Sequence, residues 1–141
     1  MKPEFRSILC PVDLSAASRA AAKTAAVMAD CFEARLTVVF VDDPLLSQAA
    51  QRFDEDELAR RTETELTRFV QKAIGDRRGC GYEIVNGDPA TEILKAARRL
   101  KADLIVMGTQ GNRGPKRLFF GSTAATVVKR TTIPVLVVPP K

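Results

Sequence analysis

The segment from Gly108 to Thr123, Gly-Thr-Gln-Gly-Asn-Arg-Gly-Pro-Lys-Arg-Leu-Phe-Phe-Gly-Ser-Thr, concentrates residue types that hold an anion. Gly108, Gly111 and Gly114 let the backbone turn sharply and approach a ligand with no Cβ in the way. Gly121-Ser122-Thr123 then opens a helix, and the unpaired N–H groups of a first helical turn, aided by the helix dipole, suit phosphate. Ser122 and Thr123 add hydroxyl donors, while Arg113, Lys116 and Arg117 add positive charge. The same residues also fit a plain glycine-containing loop, with solvated cations and Ser122 as an ordinary N-cap. No Gly-x4-Gly-Lys-Ser/Thr occurs, and no Gly-x-Gly-x-x-Gly follows the first apolar run, which excludes the Walker loop and the dinucleotide fingerprint.

The rest of the composition removes several kinds of chemistry. The 141 residues include no His, so there is no Ser-His-Asp or Cys-His constellation and no imidazole-ligated zinc. Proton shuttling would fall to Asp, Glu, Lys or Tyr82. Cys10, Cys31 and Cys80 are widely spaced without a CxxC pair, which fits neither a disulfide framework nor a zinc cluster and points to a reducing compartment. Each reads best as a small buried hydrophobe. No catalytic set and no metal site is expected. The net charge of +5 includes the pairs Arg60-Arg61, Arg77-Arg78 and Arg98-Arg99. They fall on separate elements among acids, with a single Tyr and no Trp, so a solvated basic face is expected rather than nucleic-acid binding. The apolar run after Met1–Arg6 is too short for a signal peptide, and nothing approaches the ~20 apolar residues of a membrane span. A cytoplasmic protein without membrane contact is expected.

The elements that must position the glycine segment come from four continuous apolar runs: Ile8–Val12, Leu36–Val41, Leu104–Met107 and Ile133–Val138. They are rich in β-branched residues and do not alternate, as expected of parallel strands covered on both faces. Tyr82–Val85 alternates at its start and reads as an edge strand. Helices are expected over Ala16–Phe32, with Ser15 as cap and Ala20, Ala21, Val27 and Met28 on one face, and over about 54–74, carrying Leu58, Leu66, Phe69, Val70, Ala73 and Ile74. A third begins at Asp88-Pro89, with Asp88 as cap and Pro89 in the first turn, and buries Ile93, Leu94, Ala97 and Leu100; a fourth spans Ser122–Arg130. The order β-α-β-α-β-α-β-α-β predicts one domain, an α/β three-layer sandwich around a parallel sheet. Ligands of such sheets bind beyond the carboxyl ends of the strands, where strand order reverses. Asp13, Asp42, Asp43 and the segment after Met107 lie there.

The spacing Gly108-x2-Gly111-x9-Gly121-Ser122 resembles the ATP-binding signature of the universal stress protein family. Ile8-Leu9-Cys10-Pro11-Val12-Asp13, Gly87-Asp88-Pro89, Ala102–Gly108 and Ile133–Val138 accompany it over essentially the whole chain. The resemblance implies a five-stranded parallel sheet in the order 3-2-1-4-5, Rossmann-like and of the adenine nucleotide alpha hydrolase type. It implies ATP, with or without Mg²⁺, as ligand, and a homodimer formed through the C-terminal strand. Carried over by position, Asp13 would bind the ribose or adenine side, and Pro11, Val12 and Val41 would border the base. Met107 and Gly108 would lie beneath the nucleotide, with Gly111, Asn112, Gly121, Ser122 and Thr123 around the phosphates. Asp13 alternatively serves as a helix N-cap. Leu14 stands where the family usually has a small residue and is expected to crowd the adenine side; Gln110 replaces a frequent His, and Pro115 and Phe119-Phe120 stiffen the loop.

The function expected is a nucleotide-dependent regulator in a stress response. Two alternatives use the same residues: a slow ATPase or autophosphorylating protein with Ser122 or Thr123 as acceptor, and a dimeric interaction module that needs no nucleotide.

Overall fold

β-branched side chains pack well on a pleated surface, and the apolar runs accordingly become strands. The computed structural model describes residues 5–43, 55–77, 79–109 and 121–139. The strands are β1 (Ser7–Val12), β2 (Arg35–Asp42), β3 (Cys80–Asn86), β4 (Leu104–Gly108) and β5 (Val135–Val138). The helices between them are α1 (Ala16–Phe32), α2 (Glu55–Ala73), α3 (Pro89–Arg99) and α4 (Ser122–Arg130). All neighbouring strands pair parallel in the order β3-β2-β1-β4-β5. This is the expected order, with β1 buried along its whole length at the centre and β3 exposed at an edge. The last apolar run enters the sheet only at Val135. Pro134 before it has no amide to give, and its carbonyl accepts the Ile105 N–H at 3.0 Å.

Two apolar layers hold the sheet. Ile8, Cys10, Val38 and Val106 meet the alanines of α1 and Leu66 and Phe69 of α2 on one face. Leu9, Val39, Ile105 and Met107 meet Ile93 and Ala97 of α3 and Val127 of α4 on the other. The buried stripe of α1 is Ala17, Ser18, Ala21, Ala22, Ala25, Ala26 and Ala29. Ala21 lies inward as expected, but Ala20 and Met28 are half-buried and Val27 is 57% exposed. A helix seated this close to a sheet has room for small side chains only, and the larger Val27 turns outward.

Caps form where local chemistry puts them. Ser15 accepts the Ser18 N–H at 3.1 Å to start α1, and Asp88 accepts the Thr91 N–H at 3.1 Å to start α3, with Pro89 in its first turn. At the other end of the sheet Asp103 clamps β4 to β1. Its carboxylate accepts the N–H groups of Arg6 at 2.9 Å and Ser7 at 3.2 Å, and its own N–H donates to the Ser7 carbonyl at 2.9 Å. With those ends held, the carboxyl ends of β1 and β4 lie side by side at the reversal of strand order.

Candidate functional site

The candidate site begins where the central ladder opens. β1 stays paired with β2 through Val12 and Phe40, but its pairing with β4 stops at Leu9 and Ile105. Pro11, with no N–H to offer, stands just past that point. The same offset carried onward sets Val12 opposite Gly108, so both strands deliver candidate residues to one place.

β1 leaves the sheet through Asp13, and the chain reverses at Leu14 with φ +67°. This left-handed turn costs a non-glycine residue roughly 1–2 kcal/mol, and glycine would be at ease there. It lets Oδ1 of Asp13 accept the Ser15 N–H and the Ser18 hydroxyl, each at 3.0 Å. Asp13 therefore braces the start of α1 from outside, while Ser15 is the N-cap. The Leu14 side chain is half-buried and packs on the α1–α2 core cluster. Ser18, buried and bonded to Asp13, was not singled out in the sequence; its spacing from Asp13 on the first helical turn is the only local signal.

From the other side β4 arrives with Met107 buried in the α3–α4 layer and Gly108 against α1. A Cβ on Gly108 would stand 3.3 Å from the Ala17 carbonyl oxygen. Thr109 follows. Its N–H donates to the Val138 carbonyl at 3.2 Å, and its carbonyl accepts the Gly121 N–H at 2.6 Å. That second bond seats the start of α4 beside the end of β4. The N-cap of α4 is Gly121, not Ser122, and it gives no side-chain cap bond; the first turn also carries no acid. α1 and α3 begin on side-chain acceptors, whereas α4 has no side-chain cap bond among the described residues. The Thr109 hydroxyl is buried without a hydrogen-bond partner among the described residues. It too was missed from the sequence, where only its place between two glycines of the segment marked it.

Pro11, Val12, Asp13, Met107, Gly108, Gly121, Ser122 and Thr123 are thus gathered at the carboxyl ends of β1 and β4. Val41 lies one strand away, the residue after Phe40, the partner of Val12. Gly111 and Asn112, with Gln110 and the cations Arg113, Lys116 and Arg117, lie outside the described residues, as does the stretch 44–54. Cys10 supplies no thiolate to this site, because complete burial pushes its pKa up to about 12. Among the described residues no group of three or more His, Cys, Asp or Glu is arranged for a metal ion, and no helix is long and apolar enough to cross a membrane. Of the basic pairs, Arg77 engages Asp30 and the Ala26 carbonyl, and Arg99 forks onto Glu83 at 2.8 and 2.9 Å.

Residues 4–139 match the sequence model of the universal stress protein family. The chain belongs to the universal stress protein family. Universal stress protein MJ0531 of Methanocaldococcus jannaschii is 37% identical over 140 residues, covering 95% of this chain and 82% of that one. The solved structure of universal stress protein UspA from Lactobacillus plantarum superposes with a TM-score of 0.75 at 30% identity, covering 98% and 99% of the two chains. Two more distant structures, both 20% identical, share the fold: a universal stress protein in complex with cAMP (TM-score 0.76, 97% and 99% covered) and one from Archaeoglobus fulgidus in complex with dAMP (0.68, 96% and 98%). In this universal stress protein, Gly121 is tied through its N–H to the carbonyl of Thr109, the residue after Gly108.

Proposed function

We propose that this universal stress protein binds an adenine nucleotide, ATP with or without Mg²⁺, across the carboxyl ends of β1 and β4. Occupancy then alters the surface offered to a second copy or a partner, as regulatory binding and not turnover. One observation carries the proposal: α4 starts without a side-chain cap, and that start is fastened 2.6 Å from the Thr109 carbonyl, next to a glycine that lies flat on α1. A helix start with no side-chain cap among the described residues and a glycine surface without a Cβ fit a phosphate chain. Gly121, Ser122 and Thr123, with Gly111 and Asn112, surround the phosphates. Met107 and Gly108 form the floor. Asp13 faces the ribose or adenine side, with Pro11, Val12 and Val41 along the base. The cAMP and dAMP held by two relatives support the choice of adenine.

β5 closes the order as an edge strand of half-buried valines and leucine, and Val128 on the adjoining α4 is 44% exposed. An edge strand of this kind, unpaired on its outer side among the described residues, can pair with a second copy, which supports a homodimer; sedimentation would show a mass of twice the chain.

The nucleotide test is thermal unfolding with millimolar Mg-ATP. Ligand at 100 times its Kd stabilises by about 2.7 kcal/mol, which raises the midpoint of a chain this size by roughly 9 °C. An unmoved midpoint, together with no nucleotide released on denaturing the purified protein, would overturn the proposal.

A further inference from the structure

We infer that Ser18 is a positioning residue for the nucleotide, acting through Asp13; the assignment rests on adenine-nucleotide binding at this end of the sheet. The Ser18 hydroxyl holds Asp13 at two points. Its Oγ accepts the Asp13 N–H at 3.3 Å and donates to Oδ1 of the same residue at 3.0 Å. One side chain thus closes a ring through the backbone and the carboxylate of Asp13, and the Ser15 N–H reinforces Oδ1 at 3.0 Å. The carboxylate is oriented before any ligand arrives.

The helix itself does not need this hydroxyl. Ser15 already caps α1 by accepting the Ser18 N–H at 3.1 Å, and its own hydroxyl donates to Ser18 Oγ at 3.3 Å. Ser18 stands in a buried stripe that is otherwise alanine, where a methyl group would fill the space with no polar atom to satisfy. A hydroxyl kept in such a row needs partners, and those it finds belong chiefly to Asp13. The competing acceptor, the Ser15 carbonyl at 3.2 Å, also takes the Arg19 N–H, and a carboxylate is the stronger acceptor of the two. Asp13 is half-buried and follows β1 where its pairing with β4 has already ended. A carboxylate fixed there meets the ribose or adenine side without the cost of ordering it on binding, so the gain from Ser18 appears as affinity for that part of the ligand.

Calorimetric titration of the full chain with ATP, adenosine and inorganic tripolyphosphate tests this, using Ser18→Ala, Asp13→Ala and the double variant. Ser18→Ala should weaken ATP and adenosine by the same factor, roughly five- to tenfold, and leave tripolyphosphate, which has no ribose or base, at native affinity. Asp13→Ala should weaken ATP at least as much. Adding Ser18→Ala to it should cost nothing more, because the hydroxyl acts only through the carboxylate. Ser18→Cys, which fills the same space with a weak donor, should follow Ser18→Ala and takes its place if the alanine variant does not fold. Native ATP affinity in Ser18→Ala or Ser18→Cys overturns the assignment. Losses that simply add in the double variant also overturn it, as does an equal loss for tripolyphosphate, which marks a general loosening of the site. If the native chain and Asp13→Ala bind ATP equally well, Ser18 falls while nucleotide binding stands. If the native chain binds neither ATP nor adenosine, nucleotide binding itself fails and Ser18 falls with it.

Discussion

The carbonyl oxygen of Ala17 lies 3.3 Å from the point a Cβ on Gly108 would occupy, so helix and strand touch backbone to backbone. Neither side can yield easily, since Ala17 is buried and Gly108 ends a central strand. Gly108→Ala should lower stability in urea by about 1–2 kcal/mol, within the range for overpacked sites, and Gly108→Val by more. The slope of the transition should not change. A Gly108→Ala variant as stable as the native protein would show that α1 can retreat.

Glu33 ends α1 in the left-handed region, φ +54°, with its amide turned back to the carbonyls of Ala29 and Asp30. It is exposed, so its side chain contributes little packing, and its charge opposes the negative end of the helix. Glu33→Gly should stabilise by about 1 kcal/mol, after subtracting the greater freedom of glycine in the unfolded chain. Thermal unfolding would read this as a rise of roughly 3 °C.

Two carboxylates make the fold sensitive to acid. The Arg99 guanidinium, by hydrogen bonding first and by charge after that, holds Glu83 below its usual range against a smaller opposing effect of burial. Asp88 is lowered by the Thr91 backbone N–H, then the Thr91 hydroxyl, then the distant Arg130 charge. A lowered folded pKa adds stability that is complete above the unfolded value, ~4 for these groups, and is lost as pH falls through the folded value. Denaturation midpoints should decline below about pH 4, and Glu83→Gln should lower the midpoint slightly at neutral pH and flatten that acid limb.

The three thiols should report burial in order. Cys31 is exposed, Cys80 is half-buried with its pKa raised by desolvation, and Cys10 is buried with a pKa of about 12. Because the thiolate is the reactive form, an alkylating reagent at pH 8 should modify Cys31 first, then Cys80, and Cys10 only on unfolding. Modification of Cys10 in the native state, followed by mass, would contradict the buried position of β1.

Much of the architecture could be read along the chain. Ser15 and the pair Asp88-Pro89 announced their helices because a cap is completed within three residues. The continuous run through Leu9 and Cys10 announced a strand covered on both sides. Val27 misled, because helical spacing shows which residues share a face but not how close the sheet will come. The last helix runs over Ser122–Arg130 as expected, and its N-cap is Gly121, so the alternative of Ser122 as an ordinary cap does not hold.

What the sequence determined alone is therefore the succession of elements, most of their ends and the concentration of glycines and hydroxyls after Met107, since each depends on neighbours a few residues apart. Tertiary structure decided which of those groups meet. Gly108 finds Ala17, and Thr109 finds Gly121 and Val138, only after the strands take their order and register. Those partners are set by where parallel strands lie relative to one another, and no short-range pattern encodes a contact made between segments so far apart in the chain.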